Sequence, residues 1–444
     1  MRLAFFTPLN PQQSGISDYS EELLPSLAEH AEIDIVMGPY EPSSAEIKDR
    51  FRVIQTNEFL AHSARYDCAI YQVGNSLQYH GYMIPCLRAV PGIVVLHDYS
   101  LMYLILGMTV LRGSVASLES MLRPTHGGKA GRLARRLLTS GLDSYELSLA
   151  APIVEMSSGV IVHSEYARGR LSTDAPAKRI EVIRHATPIR ELRDRRRELR
   201  ARFGFREDDV ILASISTVAY NKRVHLLLNG LRVLRKRFPR IKLVMVGNGR
   251  LGSDARRLIA RHDLGEHVVQ TGWVSAQDYL DYIDLADIVT DLRYPSAGET
   301  SGSSLRAMQA GKPLVVSAHG SFLEIPDECC VRVPVGAGES EYLVRTLTDL
   351  IDDPVKRREM GAAARSYVLA KLRVEQAAES YIRFIRRVIA APETATVPWE
   401  FPEPGGRSLS ARSTALAYRL CRMRYVLRHY GLTELFGRLR HELN

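Results

Sequence analysis

The sequence is poor in everything that would take it out of the ordinary globular class. It contains no apolar run of the ~18 residues a spanning helix needs; the nearest candidate, Leu101 to Leu111, is about half that length. This argues against a transmembrane protein. The opening MRLAFFTPL has one arginine, enters an apolar strand pattern at once and shows no small-residue cleavage site, so the expected location is the cytoplasm. Cysteine is scarce. Cys68, Cys86, Cys329, Cys330 and Cys421 form an odd set with no CxxC and no Cys or His partner at zinc spacing, so buried free thiols are expected rather than a disulfide scaffold or a zinc module.

What is present is a composition of 45% hydrophobic and 25% charged residues, which excludes disordered and collagen-like chains. The length of 444 residues suggests two domains of roughly 200 residues each. The net charge of +9 is local. Residues 123 to 136 hold Arg123, Lys129, Arg132, Arg135 and Arg136 with no acid (+5), and residues 405 to 444 hold eight arginines against Glu434 and Glu442 (+6). The rest of the chain is close to neutral, at about −2.

Short apolar runs alternate with helical stretches, the pattern of parallel sheets with crossover helices, so the fold class is α/β. The first half offers strands at Arg2 to Phe6, Glu32 to Met37, Cys68 to Gln72, Gly92 to His97, Gly159 to His163 and Ile180 to Arg184. The second restarts the series at Val210 to Ser216, Lys242 to Gly247, Val268 to Gly272, Asp287 to Thr290, Pro313 to Ser317 and Cys330 to Val333. Two doubly wound parallel-sheet domains are expected, 1–188 and 189–372, facing across a cleft as ligand sites of such sheets do. Between them RELRDRRRELRARFGF reads as a mixed-charge linker. A helix at 373–391 is expected to cross back to the first domain. The segment 392–444 then reads as a linker with Pro392, Pro398, Pro402 and Pro404, followed by a basic amphipathic helix carrying Leu416, Leu420, Met423, Leu427 and Tyr430 on one stripe.

Gly247, Gly249 and Gly252 spell GxGxxG after a strand. No acid follows at the next strand end, where a dinucleotide ribose would require one, so a tight strand-to-helix turn is the expectation. More specific is LRYPSAGETSGSSLRAMQAGKP, Leu292 to Pro313, where a loop of small residues leads into a helix near Ser303 to Ala310. Small residues let backbone amides approach an anion, and a helix N-terminus favours a phosphate or diphosphate; an N-capped helix after a flexible turn is the alternative. Lys222, following the first strand of the same half, adds a cation at a strand's carboxyl end. The alternative for it is a surface lysine.

With these residues the chain resembles glycosyltransferase family four (group 1), retaining nucleotide-sugar transferases of the GT-B fold, over roughly residues 1 to 390. The resemblance rests on Gly15-Ile16, His97-Asp98, Ser164, His185, Gly247 to Gly249, Gly272-Trp273-Val274 and Glu324, together with Lys222, GETSG and AMQAGKP. It implies a donor held by the second domain, with Lys222 on the diphosphate, Glu299, Thr300, Ser301, Gly302 and Ser303 on phosphate and sugar, and Trp273 and Val274 beside the base. His97, Lys222 and Glu299 are then the catalytic candidates, and no metal or other cofactor is implied. Asp278, Asp281 and Asp284 read as a solvated helix face rather than as metal ligands. Asp98 is expected to orient its neighbours, and His163 to be structural.

The sequence departs from the family twice. The family commonly has two glutamates eight positions apart; here Gly298 and Arg306 stand in those places, with Glu299 displaced by one. The usual arginine five residues before the lysine is replaced by Thr217. Arg306, placed in the first turn of the phosphate-loop helix, is a candidate to supply charge to the diphosphate. The implied activity is a retaining hexosyltransferase that moves a sugar onto a glycan or lipid-linked acceptor in envelope or exported polysaccharide synthesis. The alternatives are a non-catalytic nucleotide-sugar-binding scaffold and a nucleotide-sugar epimerase of similar fold. The basic segments suit peripheral contact with an anionic membrane on its inner face; packing of the tail on the first domain is the alternative. No nucleic-acid partner is expected.

Overall fold

Continuous apolar runs become buried parallel strands in both halves of the chain. A computed structural model describes residues 1–112, 114–140, 147–192, 194–216 and 218–391, with Leu416 and Leu420. The expectations for the tail therefore lie outside the described residues, apart from those two leucines, which are helical and exposed. Among the described residues no helix is long and apolar enough to cross a membrane. Cys68, Cys86, Cys329 and Cys330 are free thiols, all but Cys68 fully buried.

The first unit comprises Met1–Thr187, Ala297–Thr300 and the helix Val374–Ala390. Its strands are β1 (Arg2–Phe6), β2 (Glu32–Met37), β3 (Arg52–Gln55), β4 (Cys68–Val73), β5 (Ile93–Leu96), β6 (Gly159–Val162) and β7 (Ile180–Val182). They pair in parallel in the order β3-β2-β1-β4-β5-β6-β7. Strand β3 was not expected from the sequence. It is an edge strand with Arg52 and Gln55 exposed and only Ile54 buried, so the apolar run that marks the inner strands is missing. Side chains alternate between faces. Tyr71, Val73, Val94, Leu96, Val160 and Val162 enter one core layer, and Ile70, Ile93, Val95, Ile161 and Ile183 the other. The second layer is closed by the helices Gly15–Leu27 and Val374–Ala390, which supply Tyr19, Leu23, Tyr381 and Phe384. The basic stretch lies on two further helices, Val115–His126 and Ala130–Ser140. These bury Leu118, Leu122, Ala134 and Leu137 and leave Arg123, Lys129, Arg132, Arg135 and Arg136 exposed.

The second unit comprises Pro188–Ser296 and Ser301–Arg373. Its strands are β8 (Val210–Ile215), β9 (Ile241–Val246), β10 (Val268–Gly272), β11 (Ile288–Asp291), β12 (Leu314–Ser317) and β13 (Cys330–Val333), in the parallel order β10-β9-β8-β11-β12-β13. The fold class is the expected one: two Rossmann-like, doubly wound α/β units. Two local expectations need correction. The mixed-charge stretch after Pro188 is not only a connection, because Arg196–Arg202 is a helix whose Arg200 is 1% exposed and donates to Asp287 at 3.0 Å. Nor are Asp278, Asp281 and Asp284 a solvated face. Asp281 is fully buried between Arg195 (2.9 Å) and Arg202 (2.6 Å), Asp278 pairs with Arg202 (2.5 Å), and Asp284 takes both ends of the Arg190 guanidinium at 2.5 and 2.7 Å. These carboxylates anchor the arginine-rich segment to the helix Ala276–Leu285.

Candidate functional site

In the second unit the site is built on the carboxyl end of β11. This strand runs Ile288-Val289-Thr290-Asp291, so the buried chain ends in a carboxylate that is 3% exposed. Burial by itself favours the neutral acid, yet the Asp291 carboxyl is held below the ordinary range. The guanidinium of Arg293 and the ammonium of Lys222 oppose the burial, as do hydrogen bonds from Ser301 and Ser304. Arg293 Nη2 stands 3.3 Å from Asp291 Oδ1, Ser304 Oγ donates at 2.8 Å, and Ser301 Oγ donates as well. Ser301 also caps the helix Gly302–Gln309 by accepting from Ser304 N–H. One carboxylate thus ties two cations to the capped N-terminus of a helix, the local arrangement an anionic ligand needs.

Lys222 ends a short 3-10 turn, Tyr220–Lys222, beyond β8. The next residue, Arg223, pairs with Glu339 and lies over the Tyr294 ring. Thr217 lies outside the described residues. The glycine segment is not the expected tight turn, since β9 ends at Val246 and the next helix begins only at Ser253. Gly249 has φ +109°, and a Cβ there would stand 2.7 Å from the Val218 carbonyl, so close passage of the loop after β8 explains the glycine. Gly247 (φ +139°) joins Gly272 in an isolated bridge. Trp273, just past β10, is 53% exposed, while Val274 packs into the core.

Arg306 requires a correction: it sits in the last turn of Gly302–Gln309, not the first, with its guanidinium over the Tyr279 ring at 5.9 Å. The Tyr279 hydroxyl in turn donates to Ser303 Oγ at 2.8 Å. Arg306 is thus linked to the loop through Tyr279 and Ser303. Gly298 explains the missing first glutamate. It has φ +86°, and a Cβ there would lie 2.0 Å from Tyr99 Cδ1, while Tyr99 N–H holds the Ala297 carbonyl at 2.8 Å. A side chain has no room there. Glu299 is half-buried, and Thr300 Oγ1 is buried without a hydrogen-bond partner.

In the first unit, period-two alternation carries four polar side chains to one face just where the strands end. Gln72, His97, His163 and His185 each lie two residues beyond an apolar residue of the same layer, namely Ile70, Val95, Ile161 and Ile183. The rings of His97 and His163 are 4.8 Å apart, those of His163 and His185 5.5 Å, and Tyr19 touches all three. Tyr19 is fixed by a 2.8 Å hydrogen bond between its hydroxyl and that of Tyr381. Burial keeps His97 and His163 neutral: His163 is lowered to about 4, and His97 lies well below its ordinary value, with its neighbours His163 and His185 adding to the effect. His163 donates from Nδ1 to the Ile183 carbonyl at 2.8 Å, as a structural histidine would. Asp98 accepts from Asn75 N–H at 2.9 Å, and Asn75 accepts from Tyr103 N–H at 2.7 Å, so Asp98 organises the loop beside His97. Ser164 caps its helix through Ala167 N–H. Gly15 opens the helix Gly15–Leu27 with no protein atom within 4 Å of a Cβ placed there, so nothing in the chain itself requires glycine at that position. Sequence reasoning missed Gln72, Asn75, Asp291, Arg293 and Tyr279. A lone acid ending an apolar strand was the available signal for Asp291.

Residues 195–367 match the family described as glycosyl transferases group 1. Among curated relatives, a GDP-mannose-dependent monoacylated alpha-(1-6)-phosphatidylinositol monomannoside mannosyltransferase of Corynebacterium glutamicum is 27% identical over 39% of this chain and 46% of its own length. A GDP-mannose-dependent alpha-(1-6)-phosphatidylinositol monomannoside mannosyltransferase of Mycobacterium tuberculosis is 26% identical over 63% of this chain and 73% of its own. The chain spans about half the length of the first curated relatives it matches, 46% and 47%. Among solved structures, Anabaena HepE in complex with UDP aligns with a TM-score of 0.62 at 16% identity, over 87% of this chain and 99% of that one. Sucrose-phosphate synthase from Thermosynechococcus elongatus aligns with a TM-score of 0.64 at 20% identity, over 88% and 100%. The fold is therefore shared with these proteins.

Proposed function

We propose that the protein is a glycosyltransferase that moves a sugar from a nucleotide-diphosphate sugar to a glycan or lipid-linked acceptor with retention of configuration. The observation that carries the reading is the Asp291 cluster, where Lys222, Arg293 and a capped helix N-terminus are gathered at one strand end. It lies inside the segment that matches the glycosyl transferases group 1. In this reading Lys222 and the amides of Gly302 and Ser303 take the diphosphate, and Thr300 Oγ1 and Glu299 serve phosphate and sugar. Exposed Trp273 stacks on the base with Val274 behind it. The chemical demand is to stabilise charge on the leaving phosphate as the sugar bond breaks, while the incoming hydroxyl approaches on the same face and passes its proton to that phosphate. Fixed cations and oriented amides supply this without a metal. Neutral His97 serves as a hydrogen-bond partner for a sugar hydroxyl.

A lipid-linked acceptor is consistent with the exposed basic face of Arg123, Lys129, Arg132, Arg135 and Arg136. Such a face favours peripheral contact with an anionic membrane, and a role in envelope or exported polysaccharide synthesis follows. The test is thermal stabilisation by UDP, GDP, ADP and their sugar conjugates. A ligand at about a hundred times its Kd adds ~2.7 kcal/mol, which is roughly 5–10 °C for a unit of this size. One nucleotide class stabilising the wild type but not Lys222→Ala supports the site; no shift with any of them removes it.

A further inference from the structure

The Gln72 side chain, which the transferase reading leaves without a role, is fully buried on β4 and stands with its Oε1 2.7 Å from His97 Nε2. With the amide oxygen facing the ring, Gln72 accepts from Nε2–H, which leaves the lone pair of the neutral ring on Nδ1; Gln72 Nε2 itself is buried without a hydrogen-bond partner. The backbones on both sides of this contact are held in place. The backbone of Gln72 is fixed by His80 Nδ1, which donates to the Gln72 carbonyl at 3.0 Å. The backbone of His97 is fixed by its N–H to the Val73 carbonyl at 3.0 Å, and the adjoining loops are cross-tied by Asp98 and Asn75. The neighbouring His163 donates from Nδ1 and leaves Nε2 buried without a partner. His97 is half-buried, and with its proton on Nε2 its Nδ1 is an acceptor, which suits a ligand rich in hydroxyl donors.

We propose that Gln72 is a positioning residue that locks His97 in the neutral Nε2–H tautomer, so that Nδ1 offers a lone pair to a hydroxyl of the sugar substrate. The role of the hydroxyl rests on the transferase reading, whereas the tautomer does not. The titratable groups around His97 are Tyr19 on the helix Gly15–Leu27, His80, Asp98, His163, His185 and, on the helix Val374–Ala390, Tyr381. Burial keeps Tyr19, Tyr381, His80 and His163 neutral near pH 7, and Asp98 is engaged by Asn75, so a carboxylate introduced at position 72 would place a new charge in direct contact with His97.

The experiment has two arms on the full chain. Imidazole 15N correlation spectra of the wild type are expected to show His97 as Nε2–H, and still uncharged at a pH where an ordinary imidazole has taken up its proton. In Gln72→Glu, a carboxylate in hydrogen-bond contact raises the His97 pKa by about 1–3 units. In the second arm, the acid limb of kcat/KM for the nucleotide sugar is expected to move upward in Gln72→Glu by a similar amount. Gln72→Ala is expected to lower kcat about tenfold, the value of one hydrogen bond, with little change in the donor KM. An Nδ1–H tautomer in the wild type overturns the proposal. So does a Gln72→Ala variant that loses melting temperature while its pH profile and kcat stay those of the wild type. If no donor is turned over, the spectra still decide the His97 tautomer, and the failure then belongs to the transferase reading.

Discussion

Replacing Asp291 by alanine perturbs the centre of the proposed donor site and has a magnitude that follows from burial. The carboxylate and the Arg293 guanidinium are both nearly inaccessible, with side-chain exposures of 2% and 7% at 3.3 Å separation. Removing the carboxylate takes from Arg293 its buried counter-charge, at a cost of about 3–5 kcal/mol. The hydroxyls of Ser301 and Ser304 also lose their acceptor. For a unit of this size that is a fall in melting temperature of roughly 6–20 °C. Removing both charges is milder, because a matched apolar pair does not strand an ion. Calorimetry on wild type, Asp291→Ala, Arg293→Met and the double variant closes the cycle, and the double variant is expected to recover at least half of the loss. A single-variant loss below about 1 kcal/mol, or strictly additive losses, would refute the claim that the two groups stabilise each other as a buried pair.

Acid is expected to destabilise the protein earlier than carboxylate titration alone would. His80 is lowered to about 3 and His163 to about 4 by burial, so the folded state excludes protons that the unfolded chain binds below about pH 6.5. Stability is full above that value and falls as pH drops toward the folded pKa values, by about 1.4 kcal/mol per unit for each histidine. Urea midpoints measured from pH 7 to 5 check this, and a flat profile contradicts it. Gly298→Ala is expected to cost roughly 1–3 kcal/mol, since it combines a left-handed backbone with overlap at Tyr99; a melting curve unchanged from wild type would show that the loop relaxes freely. Arg306→Glu should weaken nucleotide binding through Tyr279 and Ser303, and an unchanged Kd by titration calorimetry would remove Arg306 from the site.

Much of the fold can be read from hydrophobic runs, because an inner parallel strand must be apolar on both faces; Ile93-Val94-Val95-Leu96 leaves little choice. The edge strand β3 could not be found that way, since its exposed Arg52 and Gln55 serve an unpaired edge. The candidate site was only partly legible. His97, Lys222 and the loop Glu299 to Ser303 stand out by type and position. The row of Gln72, His97, His163 and His185 emerges only when the strand order β4-β5-β6-β7 sets their ends side by side. The misread aspartates show the same limit. Helical spacing puts Asp278, Asp281 and Asp284 on related faces, but it does not reveal that Arg190, Arg195 and Arg202 fold back onto them.

The most direct test of the central claim is release of nucleoside diphosphate from a panel of UDP-, GDP- and ADP-sugars, with the anomeric configuration of the sugar product followed by proton NMR. Release is expected from one donor class, with a product that keeps the donor's anomeric configuration, and both are expected to be lost in a folded Lys222→Ala variant. A protein that binds a nucleotide yet releases none with glycan or lipid-linked acceptors would be a scaffold, and one that converts the donor into its epimer without an acceptor would be an epimerase. Either result contradicts the account.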